Sequence, residues 1–236
     1  MNALDLTTLS LATGSHNAGS GEMCLLEAAA YQAGEPWSDR PECVSTVLAT
    51  YGRGLNDVLP DATRQRLVPF IPRLLNTAWD GLDDQRSYMA LDWLTRTYLP
   101  TWLRLVPALT TQADLLTAAP EVVDIDTAKA VGVLVREAAS QSDAAKDAAW
   151  AAARAAAGDA TWAAAGAAAG AAAWDTAWAA AWAAAWAAAG AAAGAAAGDA
   201  TGDATGAAAR AVLAPTVTEL QDSAIDLFDR MLSVTK

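Results

Sequence analysis

Five side chains near the N-terminus are of types that do chemistry together: His16, Glu22, Cys24, Glu27 and Cys43. An imidazole that deprotonates a thiol makes a nucleophile, so Cys24 and His16 form a candidate dyad with the carboxylates and Cys43 as further partners. The same residue types ligate metals. A zinc site, however, takes four ligands with its cysteines in close pairs. Here eighteen residues separate Cys24 from Cys43, and the chain has a single histidine. The expectation is therefore no metal. The plainer alternative makes Cys24 a small apolar core residue on the face of Met23 and Leu26.

The run Thr13-Gly14-Ser15-His16-Asn17-Ala18-Gly19-Ser20-Gly21 precedes these groups. It is too glycine-rich to propagate a helix. Free amides at a following helix N-terminus attract phosphate, so the run resembles an anion cradle. It matches neither the Walker pattern nor the dinucleotide fingerprint, and Glu22 would repel an anion there. No cofactor is expected.

The elements that must position these residues are helices. Met23, Leu25, Leu26 and Ala30 recur at helical spacing, which predicts a helix over about 22–33. Pro36 and Pro41 make the next stretch a loop. Val44, Val47, Leu48 and Tyr51 share one face of a second helix over about 42–56. Asp61 is a plausible cap for a third element, whose stripe of Leu67, Phe70, Ile71, Leu74 and Leu75 is subdivided by Pro69 and Pro72. Asp83 is a plausible cap for a fourth, carrying Met89, Leu91, Trp93, Leu94 and Tyr98. A short piece with Trp102 lies between Pro100 and Pro107, Leu115 and Leu116 follow, and a further helix is expected over 125–139. Strand-like alternation is almost absent after residue 12, so the fold class is all-α.

From Lys146 to Arg210 every fourth residue is Trp, Gly, Lys or Arg, with mostly alanine between. The register does not slip. Alanine has the best helix propensity, and triplets of it offset the roughly 1 kcal/mol cost of each glycine. Four residues turn an α-helix about 400°, so the key positions drift about 40° per repeat. One straight helix therefore cannot keep the stripe on one partner. The Gly-Asp-Ala-Thr units at 158–161, 198–201 and 202–205 are natural breakpoints, giving helices at about 142–157, 160–198 and 207–213. Pro215 separates these from a last amphipathic helix over 216–232.

Trp162, Trp174, Trp178, Trp182 and Trp186 are knobs, and Gly190, Gly194 and Gly198 are gaps. Such a surface can cover the N-terminal domain, or a shifted second copy can insert knobs into gaps, making a homo-oligomer. A membrane reading also exists, because residues 176–198 carry no charge. Against it, alanine is only weakly apolar and the tryptophans lie inside the span instead of at its borders.

The net charge of −12 is spread along the chain. Residues 1–140 hold 17 acids and 10 bases, and residues 141–236 hold 10 acids and 5 bases. With no Lys/Arg cluster, nucleic-acid binding through phosphates is not expected. The N-terminus lacks a basic segment followed by an apolar one, so a cytoplasmic location with reduced thiols is expected.

The wording Gly14-Ser15-His16, then Gly21-Glu22-Met23-Cys24-Leu25-Leu26-Glu27-Ala28-Ala29-Ala30-Tyr31, then Ala33-Gly34-Glu35-Pro36-Trp37-Ser38-Asp39 with Pro41 and Cys43, resembles a segment of uncharacterised actinobacterial and actinophage proteins. The resemblance covers roughly residues 10–110, and such proteins carry similar Ala-rich tetrad tails. It implies no activity, but it implies that His16, Cys24, Glu27 and Cys43 matter as a group. The domain division that follows is 1–140, a helical N-terminal domain; 141–213, the tetrad region; and 214–236, a terminal helix. The function expected is a non-enzymatic helical interaction or self-assembly protein. The alternatives are an enzyme or metal protein centred on the His/Cys group, and a membrane-associated protein.

Overall fold

The computed structural model describes residues 4–105, 109–142 and 203–235. Among them every regular element is helical and there is no strand, so the chain is all-α. The tetrad helices expected at 142–157 and 160–198 lie outside the described residues apart from Ser142, as do Trp162, Trp174, Trp178, Trp182, Trp186, Gly190, Gly194 and Gly198.

The elements are α1 (Leu25–Ala33), α2 (Thr46–Val58), α3 (Asp61–Arg64), a 3-10 stretch (Gln65–Phe70), α4 (Ile71–Leu74), α5 (Asp83–Trp93), a π-helical stretch (Leu94–Tyr98), α6 (Leu99–Leu103), α7 (Thr110–Thr117), α8 (Ile125–Ser142) and α9 (Asp203–Leu232). They fall into two compact units. One comprises residues 4–87 and 223–235, the other residues 88–105, 109–142 and 203–222.

In the first unit α1 packs on α2 and α4. Helix α1 starts later than the apolar spacing suggests because Cys24 is its N-cap and Glu27 stands at N3. It ends where Gly34 takes a left-handed φ of 74° and its N–H reaches the carbonyls of Ala30 and Tyr31. Ser45 caps α2, its hydroxyl accepting from the Leu48 N–H. Pro60, not Asp61, is the N-cap of α3, and Asp61 and Asp83 are the first residues of their helices. Pro69 and Pro72 do divide the next segment, as expected, with Pro69 inside the 3-10 stretch and Pro72 near the start of α4. Phe228 of α9 is fully buried at the centre, stacked on Tyr51 with centroids 5.7 Å apart and edge-on to Phe70 at 5.4 Å. The Tyr51 hydroxyl donates to the Ala224 carbonyl at 3.0 Å, which satisfies the one polar atom of a buried ring.

In the second unit α7 packs on α6 and α8. Trp93, Tyr98 and Trp102 form an aromatic row with centroids 5.5 and 6.1 Å apart. The π stretch precedes Pro100, which has no N–H to donate to the Arg96 carbonyl. The Leu99 N–H reaches back five residues to the Leu94 carbonyl, which shifts the ladder ahead of the proline.

One expectation is overturned at the C-terminus. Pro215 does not separate two helices: α9 runs through it for 30 residues. The missing Pro215 N–H costs the Ala211 carbonyl its ladder partner, a local penalty of about 3 kcal/mol. Leu213, two residues before the proline, is buried, and Leu220, Ala224, Ile225, Leu227, Phe228 and Met231 form a buried stripe after it.

Candidate functional site

The Glu27 carboxylate organises the N-terminal motif. It is 1 % exposed. Its Oε1 accepts from the His16 backbone N–H at 2.5 Å. Its Oε2 lies 3.0 Å from His16 Nδ1 and accepts from the Cys24 N–H at 2.8 Å. The Cys24 side chain faces the Glu27 N–H in return, so Cys24 and Glu27 form a capping box with sulfur in the usual hydroxyl position. The Trp37 indole donates to the His16 carbonyl at 2.7 Å. His16 Nε2, on the far side of the ring, is 3.8 Å from the exposed Glu22 carboxylate.

The structure thus brings His16, Cys24, Glu27 and Glu22 together. Cys43 belongs to a second, separate arrangement, in which the Glu35 carboxylate accepts from the Glu42 N–H at 2.7 Å and the Cys43 N–H at 2.8 Å.

Electrostatics assigns roles within this group. Burial alone would raise the Glu27 carboxyl, but the hydrogen bonds from His16 and Cys24 outweigh it and hold the group below its ordinary value. Burial, with the Glu27 charge beside it, pushes the Cys24 thiol up to about 12. Burial and Glu35 push Cys43 up to about 11. Neither sulfur is a thiolate near neutral pH, and the carboxylate, not the sulfur, holds His16 Nδ1. Among the described residues no group of three or more His, Cys, Asp or Glu is arranged to hold a metal ion.

The rest of the lead-in is pinned by residues whose part was not legible in the sequence. Asn56 accepts from the Leu25 N–H at 3.1 Å and donates to the Ala12 carbonyl at 2.9 Å. Gln65 pairs with both backbone groups of Leu11, at 2.8 and 3.0 Å. Asp57 accepts from the Gly14 N–H at 2.9 Å. The Cys24 and Leu25 amides, which an anion at this helix end would need, are therefore already bonded to protein. Gly14, Gly19 and Gly21 sit at φ of 81°, 86° and 87°, so the glycines serve the path of the lead-in.

Among the described residues no helix is long and apolar enough to cross a membrane. No family model, curated protein or solved structure matches this chain.

Proposed function

We propose that this chain is a non-enzymatic helical interaction protein whose Ala/Gly/Trp tetrads pack helices of one copy against those of another. The observation that carries the non-enzymatic part is the state of the chemically capable group. Both Glu27 oxygens are taken by His16 and Cys24, and the Cys24 thiol stands at about 12. The group works as a clasp. The self-assembly part is supported by the unbroken four-residue register of Trp178, Trp182 and Trp186 running into Gly190, Gly194 and Gly198. A cytoplasmic setting, in which Cys24 and Cys43 stay reduced, belongs to the same reading. The resemblance to uncharacterised actinobacterial and actinophage proteins accords with this reading and adds no activity. Light scattering on the full chain and on a Trp178/Trp182/Trp186→Ala variant tests it. The expected result is an oligomer for the parent and a smaller mass for the variant; a monomeric mass for both removes the assembly reading.

One observation favours a second reading, an enzyme or metal protein centred on His16, Cys24 and Glu27; Cys43, the fourth residue of that expectation, stands apart beside Glu35. A buried carboxylate fixes His16 Nδ1 and leaves Nε2 turned toward Glu22, the orientation used for general-base histidines. Elemental analysis of the purified chain, together with titration of its thiols by a chromogenic disulfide, decides it. Bound metal or a reactive Cys24 would support it, and their joint absence removes it.

A further inference from the structure

Trp79 is 98 % exposed, although tryptophan is among the residues that bury the most area. It lines a cleft of about 490 Å³ with Pro41, Glu42, Val44, Ser45, Thr46, Ala78 and Asp83. The loop that carries the ring is held on both sides. The Ala78 N–H donates to the Cys43 carbonyl at 3.0 Å, and the Thr77 hydroxyl accepts from the Ser45 N–H at 2.9 Å. On the other side Asp80 grips the buried Arg86 through two bonds of 2.9 and 2.6 Å. Trp79 itself has a φ of 64°, a conformation that bulky side chains rarely adopt. A ring so placed is displayed by its loop.

The chemistry of the cleft is one-sided. Its charged lining residues are Glu42 and Asp83, and it contains no lining Lys, Arg or His. Asp83 Oδ1 accepts from Ser45 Oγ and Arg86, while Oδ2 has no hydrogen bond among the described residues. No basic side chain among the described residues pairs with Glu42. An indole face beside carboxylates, with a proline and a valine as floor, fits a cation on an apolar stem. The protein already uses this pairing internally: the Arg73 guanidinium sits 5.5 Å from the Phe70 ring centroid. The chain's own charge of −12 favours a basic partner and disfavours a second copy at this surface.

We infer that the Trp79–Glu42–Asp83 cleft is a docking site for an arginine or lysine side chain on a basic peptide segment of a partner protein. The ring covers the cation, the carboxylates neutralise it, and Pro41 and Val44 take the methylene stem. The inference is independent of the tetrads. A chain that is monomeric by light scattering would still bind here, and a chain that assembles could still fail to.

The test is calorimetric titration of the full chain with a glycine/alanine peptide carrying three arginines, and with the same peptide carrying citrulline, which keeps the shape and lacks the charge. The arginine peptide is expected to bind with Kd below about 1 mM, and citrulline to weaken it about tenfold or more. Trp79→Gly should weaken it by about tenfold as well, on the scale of a partly desolvated cation over an indole. Glycine adopts the backbone of position 79 freely, so this variant keeps its fold, which an unchanged thermal midpoint or a raised one verifies. Glu42→Gln should cost about threefold and Asp126→Asn, on an exposed site of α8, nothing measurable. Equal binding of the citrulline peptide overturns the inference. So does unchanged affinity in Trp79→Gly, an Asp126→Asn effect as large as that of Glu42→Gln, or no heat at 1 mM peptide.

Discussion

The carboxylate of Glu27 holds His16 twice, by its backbone N–H at 2.5 Å and by its ring Nδ1 at 3.0 Å. A residue on the first turn of α1 thereby fixes both the path and the side chain of a glycine-rich segment eleven positions upstream. Without that carboxylate, the His16 and Cys24 amides would lose their acceptor in a place where water enters poorly.

Glu27→Gln keeps the shape and removes the charge. One amide oxygen must then accept what two carboxylate oxygens accepted, and an NH2 group faces a donor. The expected loss is about 2 kcal/mol, the scale of hydrogen bonds to a buried charged group. A lower urea midpoint with an unchanged slope is the signature. A shift under about 0.5 kcal/mol would mean that Asn56 and Gln65 hold the lead-in without Glu27.

The same group sets an acid dependence. Its folded pKa lies below the ordinary value of 4.5, so below that value the unfolded chain binds the proton first. The stabilisation it contributes is complete above about 4.5 and is lost as pH falls through the folded value. Parent and Glu27→Gln should therefore differ most at neutral pH and draw together as pH falls below 4.5. Stability curves that stay parallel through the acid range would place the acid sensitivity elsewhere.

Native Cys24 should resist thiol reagents. A rise from 9.0 to about 12 leaves about 1,000-fold less thiolate at a given pH, before the shielding of the buried sulfur is counted. Cys43, half-buried and at about 11, should react slowly but ahead of Cys24. Titration with a chromogenic disulfide at pH 8 should show two slow thiols that become fast together in denaturant. A Cys24 that reacts at the rate of a free thiol would contradict the clasp.

Gly52 is a contact point, and alanine there should destabilise. A Cβ would stand 3.0 Å from Phe228 Cζ and 3.1 Å from Leu25 Cδ2. Phe228 is wedged between Tyr51 and Phe70, so its ring has little room to retreat. Overpacking of this kind costs about 1–3 kcal/mol, which exceeds the roughly 1 kcal/mol that alanine gains over glycine within a helix. A thermal midpoint that falls in Gly52→Ala checks this; one that rises would show that Phe228 can yield.

The helical class, the end of α1 at Ala33 and the division at Pro69 and Pro72 were legible in the sequence, because propensity, periodicity and ring constraints act within a few residues. The sequence grouped His16, Glu22, Cys24, Glu27 and Cys43 by type; the fold joins the first four and leaves Cys43 beside Glu35, and the capping box explains why Cys24 and Glu27 stand three apart. What the set does was decided only by tertiary structure. The direction of a hydrogen bond and the burial of a thiol depend on neighbours that no spacing reveals. Asn56 meets Ala12 across 44 positions, and Gln65 meets Leu11 across 54. Pro215 shows the same limit from the other side: the local rule breaks the helix there, and α9 runs through it. Trp79, inconspicuous among ten tryptophans, became a candidate contact because the fold presents it at the mouth of an acidic cleft.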